Sequence, residues 1–151
     1  MNDAQVAALD HTIQVTNIWL KKLAGDHRLG DRSHAYNPLR AVLHVLRDRF
    51  TPEQAVHLGA QLPTLARGIY YEGWRLAGKP TNERQPDEFA KRVAAQLPRQ
   101  CPRYSLSIAK AVFELLGREL DRGETEKVIR ELPVPLRALW PGHTRPSTEQ
   151  L

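Results

Sequence analysis

Leu39, Val42, Leu43, Leu46 and Phe50 recur at the three- and four-residue spacing of a helix that buries one face. Seventy positions later, Ala109, Val112, Phe113, Leu116 and Leu120 repeat the stripe without a gap. Alanine returns as well, at Ala41 and Ala111, where a small side chain lets a neighbouring helix approach. The offset then carries through a helix start. "TPEQ" at 51–54 has the form of a capping box, with Thr51 as N-cap, Pro52 in the first turn and Gln54 reaching back. "DRGE" at 121–124 changes nearly every letter and keeps the logic, with Asp121 as cap and Glu124 three residues on. Ala55, Leu58 and Leu62 predict a short helix, and Thr125, Val128 and Leu132 predict its counterpart.

Both short helices run into proline, at "QLPTLARG" (61–68) and "ELPVPLRA" (131–138). Proline disfavours the helical state of the residue before it and suits the first turn of the helix after it. Leu-Pro is therefore predicted to be a corner between two helices, with Leu62 and Leu132 anchoring it in the core. The second helices are predicted over 63–72 and 133–140. Upstream, residues 4–24 carry Val6, Leu9, Ile13, Leu20 and Leu23 at helical spacing, and 85–97 carry Phe89, Val93 and Leu97. The joins "GDHRLGDRSHAYN" (25–37) and "PRQCPRYS" (98–105) are expected to be loops, and "RLAGKPTNER" (75–84) a linker. No alternating strand pattern is present.

The expected fold is all-α: two similar multi-helix repeats, 1–74 and 85–142, with a flexible tail at 143–151. A unit of 60–70 residues buries too little surface to stand comfortably alone. The repeats are therefore expected to pack as one helical bundle about a pseudo-twofold axis.

Composition adds limits. Of 151 residues, 41% are hydrophobic and 26% charged, which suits a globular chain. Residues 1–75 hold 9 basic and 7 acidic side chains and the remainder 13 and 10, so the net charge of +5 divides as +2 and +3. Charge this evenly interspersed, with no basic block, is not the footprint of a sequence-specific nucleic-acid reader. Cys101 is the only cysteine, so neither an internal disulfide nor a thiolate zinc cluster can form. The start "MNDAQVAALDH" lacks the basic region of a signal peptide, and no apolar run approaches membrane-spanning length. A cytoplasmic location is expected.

"LRAVLHVLRDRFTPEQAVHLGAQLPTLARGIYYEGW", the "GKP" after it and "EFAKRVA" resemble the bacterial domain of unknown function catalogued as DUF2267, over about residues 5–142. The resemblance implies a small all-helical protein with two similar halves. It implies no activity.

Several segments invite a chemical reading. "GWRLAGKP" (73–80) fits a phosphate-binding loop in part, but Pro80 stands where a magnesium-binding Ser or Thr is needed. "DHRLGDRSH" (26–34) gathers His27, Asp31 and His34, with Asp26, as candidate metal ligands, while Arg28 and Arg32 would repel a cation. His44 and His57 read as surface or satisfied histidines near the polar edge of their helices. Cys101, close to Arg99 and Arg103, reads as a surface thiol of lowered pKa. The richest stretch is "IYYEGWR" (69–75): Ile69 and Tyr70 match Leu139 and Trp140 and read as core, while Tyr71 and Trp74 are expected at the seam between the repeats or in a binding groove. Arg67 and Arg137, equivalent after the corner, read as helix caps or as a symmetric anion site.

The function expected is non-catalytic binding of a protein or a small ligand, with a protein partner or homo-oligomer and no cofactor. One alternative is a nucleic-acid-binding protein. Another is a metal-dependent enzyme centred on 26–34.

Overall fold

A computed structural model describes residues 6–27, 32–97 and 105–142, and the side chains within these spans except those of residues 26, 27, 32 and 33. Among these residues the chain is all-helical: α1 (Ala7–His27), α2 (Arg32–Arg49), α3 (Pro52–Gly59), α4 (Thr64–Tyr71), α5 (Pro86–Ala95), α6 (Ser105–Glu119), α7 (Arg122–Arg130) and a 3₁₀ helix (Val134–Leu139).

The local signals account for most boundaries. Thr51 accepts from the Gln54 amide while the Gln54 side chain accepts from the Thr51 amide, closing the expected capping box on α3. Asp121 accepts from the Glu124 amide at the start of α7. Glu88 reaches back to the amides of Arg84 and Gln85 at the start of α5, and these bonds hold its carboxyl below the usual range.

Two expectations need correction. The join at 25–37 is mostly helix, because α1 runs on to His27 and α2 begins at Arg32, with Pro38 inside it. Proline there removes the bond to the carbonyl four residues earlier and its ring crowds that carbonyl, and Ala35, Pro38 and Leu39 are buried, so packing offsets that cost. The element after the second corner is a 3₁₀ helix rather than an α-helix. Pro135 supplies no amide within it and Pro141 stands just beyond it, so a regular α ladder cannot be completed. The 75–84 linker is held against α2. The Thr81 amide donates to the Asp48 carbonyl, Arg49 donates to the Glu83 carbonyl, and the buried Glu83 carboxylate takes Arg92 and the Thr81 hydroxyl.

Buried side chains from α1 through the 3₁₀ helix form one contiguous cluster, from Trp19 and Leu23 to Leu136 and Trp140. α2 lies at its centre against α1, α4, α5 and α6, and α6 lies against α1, α2, α5, α7 and the 3₁₀ helix. Several contacts occur in pairs: α1·α2 and α5·α6, α1·α6 and α5·α2, α1·α4 and α5·3₁₀, and α2·α4 and α6·3₁₀. α2 also meets α6, and α3 meets α7. The expected tail at 143–151 lies outside the described residues.

Candidate functional site

The end of α4 is fastened to α2 by polar groups that the apolar stripe does not announce. The last carbonyls of any helix lack partners within it. Here Arg47, only 4% exposed, donates from Nη1 to the carbonyls of Tyr70 and Glu72, both at 2.9 Å, and from Nε to Asp48 at 2.8 Å. His44, also buried, donates from Nε2 to the Ile69 carbonyl at 2.7 Å. Arg40 pairs with Glu72 at 2.8 Å, and the Tyr70 hydroxyl donates to the Ala55 carbonyl at 2.6 Å. Burial pushes the Tyr70 phenol far above its ordinary range, so it stays a neutral donor. The sequence hint was a charge inside the stripe: Arg47 stands four residues after Leu43 and one after Leu46, where a core side chain would serve.

Burial, aided by Arg47 and Arg40 and opposed by the Ile69 bond, holds His44 below the ordinary imidazole value. The folded protein therefore resists a proton that the unfolded chain accepts below about pH 6.5. Stability contributed by neutral His44 is present above that value and is lost as pH falls toward the lowered folded pKa. Glu131, whose carboxyl is pushed up by burial, works the other way at lower pH. Comparison with His44→Gln isolates the histidine. Between pH 7 and pH 5 the variant is expected to lose less stability than the wild type in denaturant titrations, and equal slopes would show that His44 does not titrate against folding.

On this platform stand Tyr71 and Trp74. Tyr71 packs edge-on to Tyr70 at 5.0 Å and tilted to Trp74 at 5.4 Å. Its hydroxyl end lies over Gly59 of α3, where any Cβ would overlap it. These contacts all fall within residues 59–74, in the first half of the chain. Both rings are half-buried, and the Trp74 indole N–H has no hydrogen-bond partner among the described residues. Tyr71 also lines a shallow groove of about 360 Å³ with Tyr36, Leu65, Gly68, Ile69 and Glu72. Leu65 links this groove to α1, because its amide donates to the Thr12 hydroxyl at 2.9 Å. On the face of α1 that buries Thr16, Leu20 and Leu23 further along, Val6, Leu9 and Ile13 remain 53%, 56% and 49% exposed. Val6 stands just ahead of α1. Helical spacing alone does not separate these three from the buried Leu20 and Leu23, since spacing reports a face and not what covers it.

Arg67 and Arg137 both fold back on the preceding corner. Arg67 donates from Nε to the Gly59 carbonyl and from Nη2 to those of Leu62 and Ala60. Arg137 donates from Nε to the Leu132 carbonyl and from Nη2 to that of Arg130. Each guanidinium thus closes the end of α3 or α7, as a cation near a helix C-terminus does favourably.

Of the metal candidates, Asp31 and the side chain of His27 lie outside the described residues, and His34 is exposed near the start of α2. Among the described residues no group of three His, Cys, Asp or Glu is placed to hold a metal ion. Cys101 lies outside the described residues. The 73–80 stretch forms turns, with Gly73 and Gly78 at positive φ, and is not followed by a helix that starts at Lys79. His57 faces Glu124 of α7 at 3.4 Å across the α3–α7 contact. No helix among the described residues is long and apolar enough to cross a membrane.

The family model described as "Uncharacterized conserved protein (DUF2267)" matches residues 16–139. No curated protein matches the chain.

Proposed function

The chain belongs to the DUF2267 family of uncharacterised conserved proteins, and from that premise we propose a non-catalytic binding protein that engages another protein. Its contact surface is the face running from the N-terminal half of α1 over Leu65 to Tyr36 and Tyr71. We propose further that its halves are repeats about a pseudo-twofold axis through the α2·α6 and α3·α7 contacts, and that it works in the cytoplasm. The paired exchange of helix contacts supports the axis.

The observation that carries the binding reading is where the halves part company. Positions 76–85, seventy on from 6–15, hold no helix and fold back onto α2 through Thr81 and Glu83. Residues 6–15 instead extend α1 and leave Val6, Leu9 and Ile13 half in water. Apolar side chains gathered on one exposed face, with tyrosines beside them, mark interaction surfaces on folded proteins. Arg67 and Arg137, read from the sequence as helix caps or a symmetric anion site, close helix ends, which leaves them poorly placed to neutralise phosphates.

A photo-crosslinking residue at Leu65, introduced in the source cell, is expected to trap a discrete protein band that disappears when Leu9→Lys and Ile13→Lys are added. Leu76→Lys, at an exposed leucine elsewhere, is expected to leave the band intact. A band insensitive to the α1 changes would remove this face from consideration. Nucleic-acid affinity is expected to be non-specific and to fall on the order of 10³-fold between 50 and 200 mM salt. A sequence-dependent footprint at physiological salt would favour the nucleic-acid alternative.

A further inference from the structure

We infer that a cleft in the second half, beside Gly117 and Trp140, is a seat for a guanidinium group, supplied by an arginine side chain of another polypeptide. The inference rests on the seventy-residue correspondence, and it concerns a surface separate from the α1–α4 face.

The first half shows what the seat takes. There Arg47 sends Nη1 to the carbonyls of Tyr70 and Glu72, each at 2.9 Å. Seventy positions on, these three residues become Gly117, Trp140 and Gly142. Gly117 has no side chain to send. In its place a cleft of about 460 Å³ opens against Gly117, Trp140, Pro141 and Gly142. The indole of Trp140, stacked on Phe113 at 4.7 Å, takes part of the vacated space, because a Cβ at 117 would meet its Nε1 at 3.2 Å. It does not fill the cleft.

A second observation points the same way. Trp140 is 2% exposed, yet its N–H has no hydrogen-bond partner among the described residues, whereas the hydroxyl of its counterpart Tyr70 is satisfied by the Ala55 carbonyl. A buried donor left unpaired is costly, and a ligand that supplies an acceptor recovers that cost on binding. An arginine residue within a peptide answers both needs. Its guanidinium offers a planar fork to the carbonyls of Trp140 and Gly142, and its own main-chain carbonyl offers an acceptor to the indole. Glu114 and Glu126 line the cleft with Arg118 and Arg122, and Glu126 lies 3.7 Å from Arg122, so the wall carries no net charge and disfavours a densely basic segment. The preferred partner is an isolated arginine in an otherwise neutral or acidic stretch.

Arg145 follows Gly142 closely in sequence and lies outside the described residues. The titration is therefore run on the ¹⁵N-labelled full chain carrying Arg145→Ala, so that the chain's own guanidinium does not compete. The Trp140 indole resonance is assigned with Trp140→Phe. Acetyl-arginine methylamide is expected to shift that resonance and the Gly117 and Gly142 amides saturably. The lysine and citrulline analogues, which lack the fork or the charge, are expected to bind about tenfold more weakly or worse, as loss of one charged hydrogen bond implies. Gly117→Arg is expected to abolish the titration by filling the seat from within. If the indole rejects that side chain and the variant does not fold, Glu126→Gln serves instead and is expected to weaken binding. No saturable shift, equal binding of the three analogues, or undiminished binding to the folded variant tested would each overturn the assignment.

Discussion

Leu62→Ala and Leu132→Ala are each expected to lower the free energy of unfolding by about 2–5 kcal/mol, the range for deleting a buried leucine side chain. The two residues are 1% and 3% exposed. Each ends its short helix through an amide bond to the carbonyl three residues earlier, Gly59 or Ile129. Each also gives its own carbonyl to the arginine five residues on, Arg67 or Arg137. Alanine keeps those backbone bonds and removes only the packed side chain, so the loss reports the cavity. Val134→Ala, at a position 68% exposed, is the control and is expected to stay within about 0.5 kcal/mol of wild type. The measurement is equilibrium denaturation at neutral pH. A loss below about 1 kcal/mol at either leucine would place that corner among the sites that relax around a deletion instead of pinning the core.

Arg47→Leu is expected to cost about 3–5 kcal/mol, the range for removing one partner from a buried charged network. Leucine fits the apolar stripe, so the loss comes from the acceptors left behind. The carbonyls of Tyr70 and Glu72 lose their shared donor, and the partly buried Asp48 carboxylate loses its Nε partner. Arg47→Lys keeps the charge but cannot serve three acceptors in one plane, and it is expected to recover only part of the loss. Because Tyr71 and Trp74 stand on the helix end that Arg47 fastens, Arg47→Leu is also expected to alter the near-ultraviolet circular dichroism of the folded protein. Arg67→Ala, which removes an exposed cap from the same helix pair, is expected to cost about 1 kcal/mol. Wild-type stability in Arg47→Lys would mean that charge alone, without the fork, holds the end of α4.

The family resemblance was legible over about residues 5–142, and the family model matches residues 16–139. The candidate site was legible only in part. Tyr71 and Trp74 stood out by composition, but Tyr36 and Leu65, which share the groove with Tyr71, had no signal of their own. Their neighbourhood arises from α2 and α4 packing together. Arg47 was visible as a charge within an apolar stripe, and its two carbonyl partners, at Tyr70 and Glu72, could not be inferred from spacing.

By itself the sequence determined most of the helical stretches, and where Thr51, Asp121 and the two Leu-Pro corners begin and end them. These are local properties, set by backbone sterics, cap geometry and side-chain periodicity within a few turns. Only the tertiary structure decided that the face of α1 continuing from Leu20 is left open at Leu9 and Ile13, that the 75–84 segment is tied down through Glu83, and that Gly117 leaves a cleft where Arg47 fills one. Each depends on what another element presents opposite, and periodicity along one helix carries no information about the surface that meets it.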